Sequence, residues 1–254
     1  MKLRPTVAII QPSFVPWRGY FAIMAKCDYF IFLDDVQFDR RGWRNRNMIK
    51  TSNGVQWITV PVESKGKYHQ RISDVQICKD QPWVRKLLRS VEQAYCKTPH
   101  FKYYFSWLES CLTCRWHLLA DLDIQLTKDI AKFLGLRASF LRSSEIPSEG
   151  SLDKVERLVE LCKFAGATQY ISGPSAVGYL SSSSAFEQAN IEVRFVEYNF
   201  RPYPQQFGSF VSEVSVIDAL FNASDKSQDW LEGITLLPNA LSAGRNSNSD
   251  VDLR

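Results

Sequence analysis

The sequence predicts an α/β protein with a Rossmann-like parallel or mixed sheet, flanking helices, a β-hairpin insertion and a helical middle region. Two observations carry this expectation. Short apolar runs alternate with amphipathic stretches along most of the chain, the pattern of βαβ units. The 254 residues, 45% hydrophobic and 13% aromatic, supply a core for one large domain or two small ones. The expected organisation is one α/β domain over residues 1–238, containing a helical subdomain over about 82–136, and a disordered tail over 239–254, where LSAGRNSNSDVDLR has no apolar period.

Residues 6–50 set the frame. An apolar run from Thr6 leads into a proline-bearing loop, Gln11-Pro-Ser-Phe-Val-Pro-Trp17. Trp17, Tyr20, Phe21 and Met24 then follow the i, i+3, i+4, i+7 spacing of a helix, with Pro16 suited to its first turn. A second apolar run, FIFL, ends at Asp34-Asp35. If the two strands lie parallel, the loops after Gln11 and Asp34 open at the carboxyl edge, where open α/β sheets bind ligands.

Asn47–Lys50 and Val55–Val62 flank Asn53-Gly54, a hairpin signal in which the dipeptide supplies positive φ angles. Ser73–Cys78 reads as a short strand. A helix is expected from Pro82 to about Tyr95, and a longer helical region over Phe101–Leu136, broken near Thr113–Arg115 and stopped by Gly135. Strand–helix alternation resumes with Ser139–Arg142, then a helix over Leu152–Phe164 capped by Ser144 or Ser151. Gln169–Ser172 and Glu192–Phe195 read as strands around a helix at about Ser175–Leu180, and Val214–Phe221 as a final helix.

The net charge of +4 is compatible with an anionic substrate and falls short of a dedicated nucleic-acid binder. No apolar run reaches the roughly 18 residues of a membrane span, and MKLRPTVAII enters a strand rather than a cleavable signal. A cytoplasmic protein without membrane insertion is expected. The six cysteines show no disulfide spacing. Cys111 and Cys114 have CxxC spacing but sit among helically spaced Trp107, Leu108, Leu112, Trp116 and Leu119, so buried thiols are expected and no metal site.

The strongest anion-site signal is Arg40, Arg41, Arg44, Arg46 and Lys50, interleaved with Trp43, Asn45 and Asn47 and preceded by Gln37. Guanidinium groups match phosphate oxygens, amides add fixed polar groups, and Trp43 offers a flat face for a sugar or base. The competing reading pairs these arginines with Asp34, Asp35 or Asp39 in a solvated loop. Asp34 and Asp35 are the candidate catalytic carboxylates, as a general base, a hydroxyl ligand or a magnesium ligand beside phosphate. Gln11, Pro12, Trp17 and Tyr20 make one expected wall of a cleft, with Ser172, Gly173 and Ser175 opposite. Tyr203 and Gln205 in the later turn-rich segment complete the candidate set.

The strings IIQPSFVPWRGYF, DYFIFLDDVQFDRRGWRNRNMIK and WITVPV, with YISGPSAVGYL and YPQQFGSFVSEVSVIDALFN later on, resemble the WbqC-like family over about residues 7–222. Ala223 stands where the family tends to have glycine. The resemblance implies an association with O-antigen and other surface polysaccharides, for which a glycine transferase role has been suggested. The layout is also similar to nucleotidylyl transferases and class I aminoacyl-tRNA synthetases, although Pro16-Trp-Arg-Gly-Tyr20 replaces their His-x-Gly-His signature.

The expectation is therefore a transferase that moves an acyl group, glycyl in the leading version, onto an amino group or carboxyl of a nucleotide-linked sugar. The donor would be an aminoacyl-tRNA or glycine activated by ATP with magnesium. The alternative is a non-catalytic module that binds a nucleotide sugar or glycan precursor. An RNA-binding protein is a third class, separable by steep salt dependence.

Overall fold

The computed structural model describes residues 4–79, 82–148, 150, 153–224 and 229–238. The central sheet takes β1 (Thr6–Ile10), β2 (Tyr29–Phe32), β5 (Ser139–Arg142), β6 (Gln169–Ser172), β7 (Glu192–Tyr198) and β8 (Ile234–Pro238), while β3 (Arg46–Thr51) and β4 (Gly54–Thr59) form a separate hairpin. The helices are α1 (Arg18–Met24), α2 (Trp83–Tyr95), α3 (Phe101–Leu112), α4 (Leu119–Phe133), α5 (Lys154–Phe164), α6 (Val177–Ser181), α7 (Ala185–Gln188) and α8 (Val216–Ala223).

Within the sheet the order is β5-β2-β1-β6-β7-β8. Every neighbouring pair is parallel except β7–β8. Winding runs outward from β1 through β2 to β5, then restarts beside β1 with β6. The carboxyl ends of β1 and β6 therefore flank the topological switch point, where the loops diverge and leave a crevice.

Period-two alternation loads both faces. Ala8, Phe30, Phe32, Ile171 and Val196 pack on one face with residues of α1 to α4 and α8. Val7, Ile9, Ile31, Tyr170, Val193 and Phe195 pack on the other with α5, α6 and α7. The middle helices contribute Leu87, Val91, Leu108, Leu122 and Leu126 to the same cluster as the sheet.

Several local expectations need correction. Ser73–Cys78 is not a strand: a 3-10 turn covers Ile72–Asp74, followed by isolated pairings of Gln76 with Leu118 and Ile77 with Val62. Ile72 and Val75, both fully buried, are three residues apart, which suits a 3-10 turn rather than a strand. Ser144 is not the cap of α5. Asp153 is, accepting from the amides of Val155 and Glu156 while Glu156 bonds back to the Asp153 amide, a capping box. Ser151 and the tail from residue 239 lie outside the described residues. In the hairpin turn only Gly54 takes positive φ, at +98°. β7 runs three residues past Phe195 because β8 pairs along it, and neither β8 nor α7 was foreseen.

Candidate functional site

The loop after β1 is fixed by the chain around it. The Phe14 amide donates to the carbonyls of Trp43 (3.3 Å) and Arg44 (3.0 Å). Asn47 Nδ2 donates to the carbonyls of Phe14 (3.1 Å) and Val15 (2.8 Å), and Ser215 Oγ donates to Val15 O at 2.6 Å. These contacts hold Val15, a buried β-branched residue, at φ +36°. Such strain persists only where surroundings over-determine it, and it clusters at functional sites.

A first cleft of about 420 Å³ opens beside this loop. Of the expected residues, Trp17, Tyr20, Trp43, Arg44 and Asn47 line it, joined by Ile10, Ser13, Pro16 and Glu213, which the sequence reading missed. Pro12 is buried in the loop. Trp17 folds back over α1, and an added Cβ at Gly19 would lie 2.2 Å from its ring. Tyr198 and Phe200 support the indole edge-on at 4.9 and 5.9 Å.

Arg44 Nη1 donates to Gln11 Oε1 at 2.7 Å, and Tyr20 Oη donates to Gln11 O at 3.3 Å. Burial lowers the Arg44 pKa, opposed by Tyr20, Asp123 and Asp39. Arginine nevertheless stays charged. Burial pushes the Tyr20 phenol upward, so it remains a donor.

Asp123 on α4 is fully buried, and among the described residues neither of its oxygens has a hydrogen-bond partner. Burial raises its pKa well above the usual carboxylate range, with Arg44 opposing. Thr127, one turn on, is likewise buried with an unpartnered hydroxyl. The available signal was a carboxyl and a hydroxyl at i, i+4 on the apolar face formed by Leu119, Leu122, Leu126 and Ile130.

A second cleft of about 650 Å³ lies at the carboxyl ends of β2 and β5. Gln11, Asp35 and Gln37 line it, with the unforeseen Arg71, Ser143, Ser144, Lys154 and Arg157. Gln11 thus borders the second cleft and clamps the arginine of the first.

Both candidate aspartates are engaged internally. Asp34, fully buried, accepts from Arg142 Nε (2.8 Å), Ser143 Oγ (3.2 Å), Ser144 N (2.9 Å) and Ser144 Oγ (3.0 Å). Asp35 accepts from Ser143 Oγ (2.6 Å) and from Arg157 Nη2 and Nε (2.8 and 3.1 Å). Their partners are Arg142 and Arg157, not the arginines of the loop.

The arginine-rich loop does not converge. Arg46 donates to the carbonyls of Arg41 (2.5 Å) and Gly42 (3.4 Å) and lies 4.4 Å over the Trp57 ring. Arg40 and Arg41 are exposed at the loop tip, and Asn45 Nδ2 bonds Val60 O. Gln37 Nε2 bonds Tyr68 O.

Lys50, Tyr203 and Gln205 line neither cleft. They belong to a buried network in which Asp218 accepts from Tyr95 Oη (2.8 Å), Tyr203 Oη (2.9 Å) and Gln205 Nε2 (2.8 Å). Lys50 Nζ donates to Gln205 Oε1 and Ser209 O. Burial raises the Asp218 pKa despite those donors. Ser172, Gly173 and Ser175 line neither cleft either, and a Cβ at Gly173 would sit 3.9 Å from Tyr198 Oη, behind Trp17. The described residues hold no group of three or more His, Cys, Asp or Glu placed for a metal ion, and no helix long and apolar enough to cross a membrane.

A model of the WbqC-like protein family matches residues 11–229. The chain is also 40% identical over 227 residues to the uncharacterized protein Rv1507c of Mycobacterium tuberculosis, covering 89% of this chain and 96% of that relative. No solved structure gives a significant match. With the family's pattern spanning both clefts and the strained loop between β1 and α1, this chain belongs to the WbqC-like protein family.

Proposed function

We propose that this protein is a cytoplasmic transferase of surface-polysaccharide (O-antigen) biosynthesis that moves an acyl group, glycyl in its specific form, onto an amino group of a nucleotide-linked sugar. The observation that carries the reading is Arg44: a charged guanidinium, clamped by Gln11, inside a cleft walled by Trp17, Tyr20 and Trp43. A fixed cation among aromatic faces suits a phosphate joined to a sugar or base. In the reaction the sugar nitrogen attacks the activated acyl carbon, an N–C bond forms, the activating group leaves and the amine gives up a proton. Glu213, the carboxylate on the cleft lining, is the assigned acceptor of that proton. An aminoacyl-tRNA or ATP-activated glycine is the donor.

A non-catalytic nucleotide-sugar binding module is the second reading, favoured by one observation: Asp34 and Asp35 are already committed to internal partners. One experiment separates the two. Pure protein is incubated with nucleotide-activated amino sugars plus glycine and ATP, or plus glycyl-tRNA, and products are read by mass. A glycyl mass increment supports the transferase, whereas binding without product supports the module. Failure of every nucleotide sugar to bind removes both.

A further inference from the structure

The hairpin carries a surface that neither cleft uses. β4 pairs only with β3, and a groove of about 450 Å³ runs between β4 and α2. Its floor and sides include Trp57 and Trp83, with Gln56, Lys86 and Ser90 at the polar positions. Trp57 is 44% exposed, which is costly for an indole that serves only to fill space.

The Trp57 ring is held in place. Arg46 covers one side at 4.4 Å, and its guanidinium is itself tied to the carbonyls of Arg41 and Gly42. Trp43 packs against the same indole at 5.2 Å between centroids. Gln56 Nε2 donates to Ser90 Oγ at 3.1 Å, which orients the amide and leaves its oxygen for another donor. Trp43 also lines the first cleft, so the aromatic surface runs from that cleft to the groove without a break.

A pyranose has an apolar C–H face and a rim of hydroxyls. It is matched by a rigid aromatic plane bordered by an amide, a hydroxyl and an ammonium, the mixture found here. We propose that the β4–α2 groove binds an oligosaccharide, with Trp57 as stacking face and Gln56, Lys86 and Ser90 reading hydroxyls, continuous through Trp43 with the first cleft. The inference rests on the proposed function only in making this chain the carrier of an acceptor longer than one sugar.

The test uses the full chain and two kinds of probe. Cellotetraose, chitotetraose and tetragalacturonate are titrated while tryptophan fluorescence is followed, and UDP-N-acetylglucosamine is titrated by calorimetry. At least one tetrasaccharide should bind saturably. Trp57→Ala should then weaken it about tenfold, and Trp57→Phe by less than about threefold, because the phenyl ring keeps a stacking face. Both variants should leave the nucleotide-sugar affinity unchanged, which also confirms that they fold. No tetrasaccharide binding by the wild-type protein, or unchanged binding by Trp57→Ala, overturns the proposal. So does sedimentation showing a dimer that Trp57→Ala dissociates, since a second copy would then occupy the groove. Tetrasaccharide binding through Trp57 without nucleotide-sugar binding would sink the proposed function and leave the groove standing.

Discussion

Gln11 Oε1 accepts a 2.7 Å hydrogen bond from Arg44 Nη1, joining the end of β1 to the loop before β3. The same glutamine borders the neighbouring cleft, so one side chain sets both the orientation of the guanidinium and the partition between two cavities.

Arg44→Ala should weaken nucleotide-sugar binding by about 1–3 kcal/mol, the usual loss when a charge-assisted contact is removed. Gln11→Ala should cost about half as much, because the guanidinium remains but loses its fixed direction. Calorimetry on both variants checks this, and an unchanged affinity for Arg44→Ala would remove the first cleft as the anion site.

Asp34 is an anchor rather than a proton acceptor. Asp34→Ala leaves Arg142 without its 2.8 Å partner at the sheet edge and should destabilise the fold by about 3–5 kcal/mol. Urea denaturation measures it. A loss below about 1 kcal/mol would show that the pair contributes little more than a surface ion pair.

Asp123 makes stability fall with rising pH. Its folded pKa is raised by burial, so below about pH 4 both states hold the proton and the group contributes nothing. Above that, the unfolded chain ionises while the folded one stays protonated, which favours unfolding until the folded pKa is passed. Asp123→Asn cannot ionise. Its stability relative to wild type should therefore increase from pH 4 to pH 8 in thermal melts, and a difference independent of pH would contradict the buried neutral carboxyl.

Gly19→Ala places a methyl where the Trp17 ring lies, at 2.2 Å. The indole must swing away, costing about 1–3 kcal/mol of stability and removing one aromatic wall of the cleft. Near-ultraviolet circular dichroism and nucleotide-sugar titration should both report the change. A wild-type spectrum with normal binding would mean the ring is not fixed there.

Much of this was legible in the chain. The frame over residues 6–50, the breaks at Thr113 and Gly135, and strands such as Ser139–Arg142 and Gln169–Ser172 follow from periodicity and punctuation, because side-chain spacing on one element is a local property. The site was legible in composition and not in assignment. Trp17, Tyr20, Trp43, Arg44 and Asn47 do share a cleft, whereas Lys50, Tyr203 and Gln205 surround Asp218 instead.

The sequence alone determined an α/β chain with a working loop after its first strand, since apolar period and proline placement leave few other readings. Tertiary structure decided which charges are available. Arg142 and Arg157, more than 100 residues away in sequence, take up Asp34 and Asp35, while α4 brings Asp123 beneath Arg44 without a hydrogen-bond partner among the described residues. Electrostatic pairing depends on distance through space and on the exclusion of water, and neither is written in the spacing of residues along a chain.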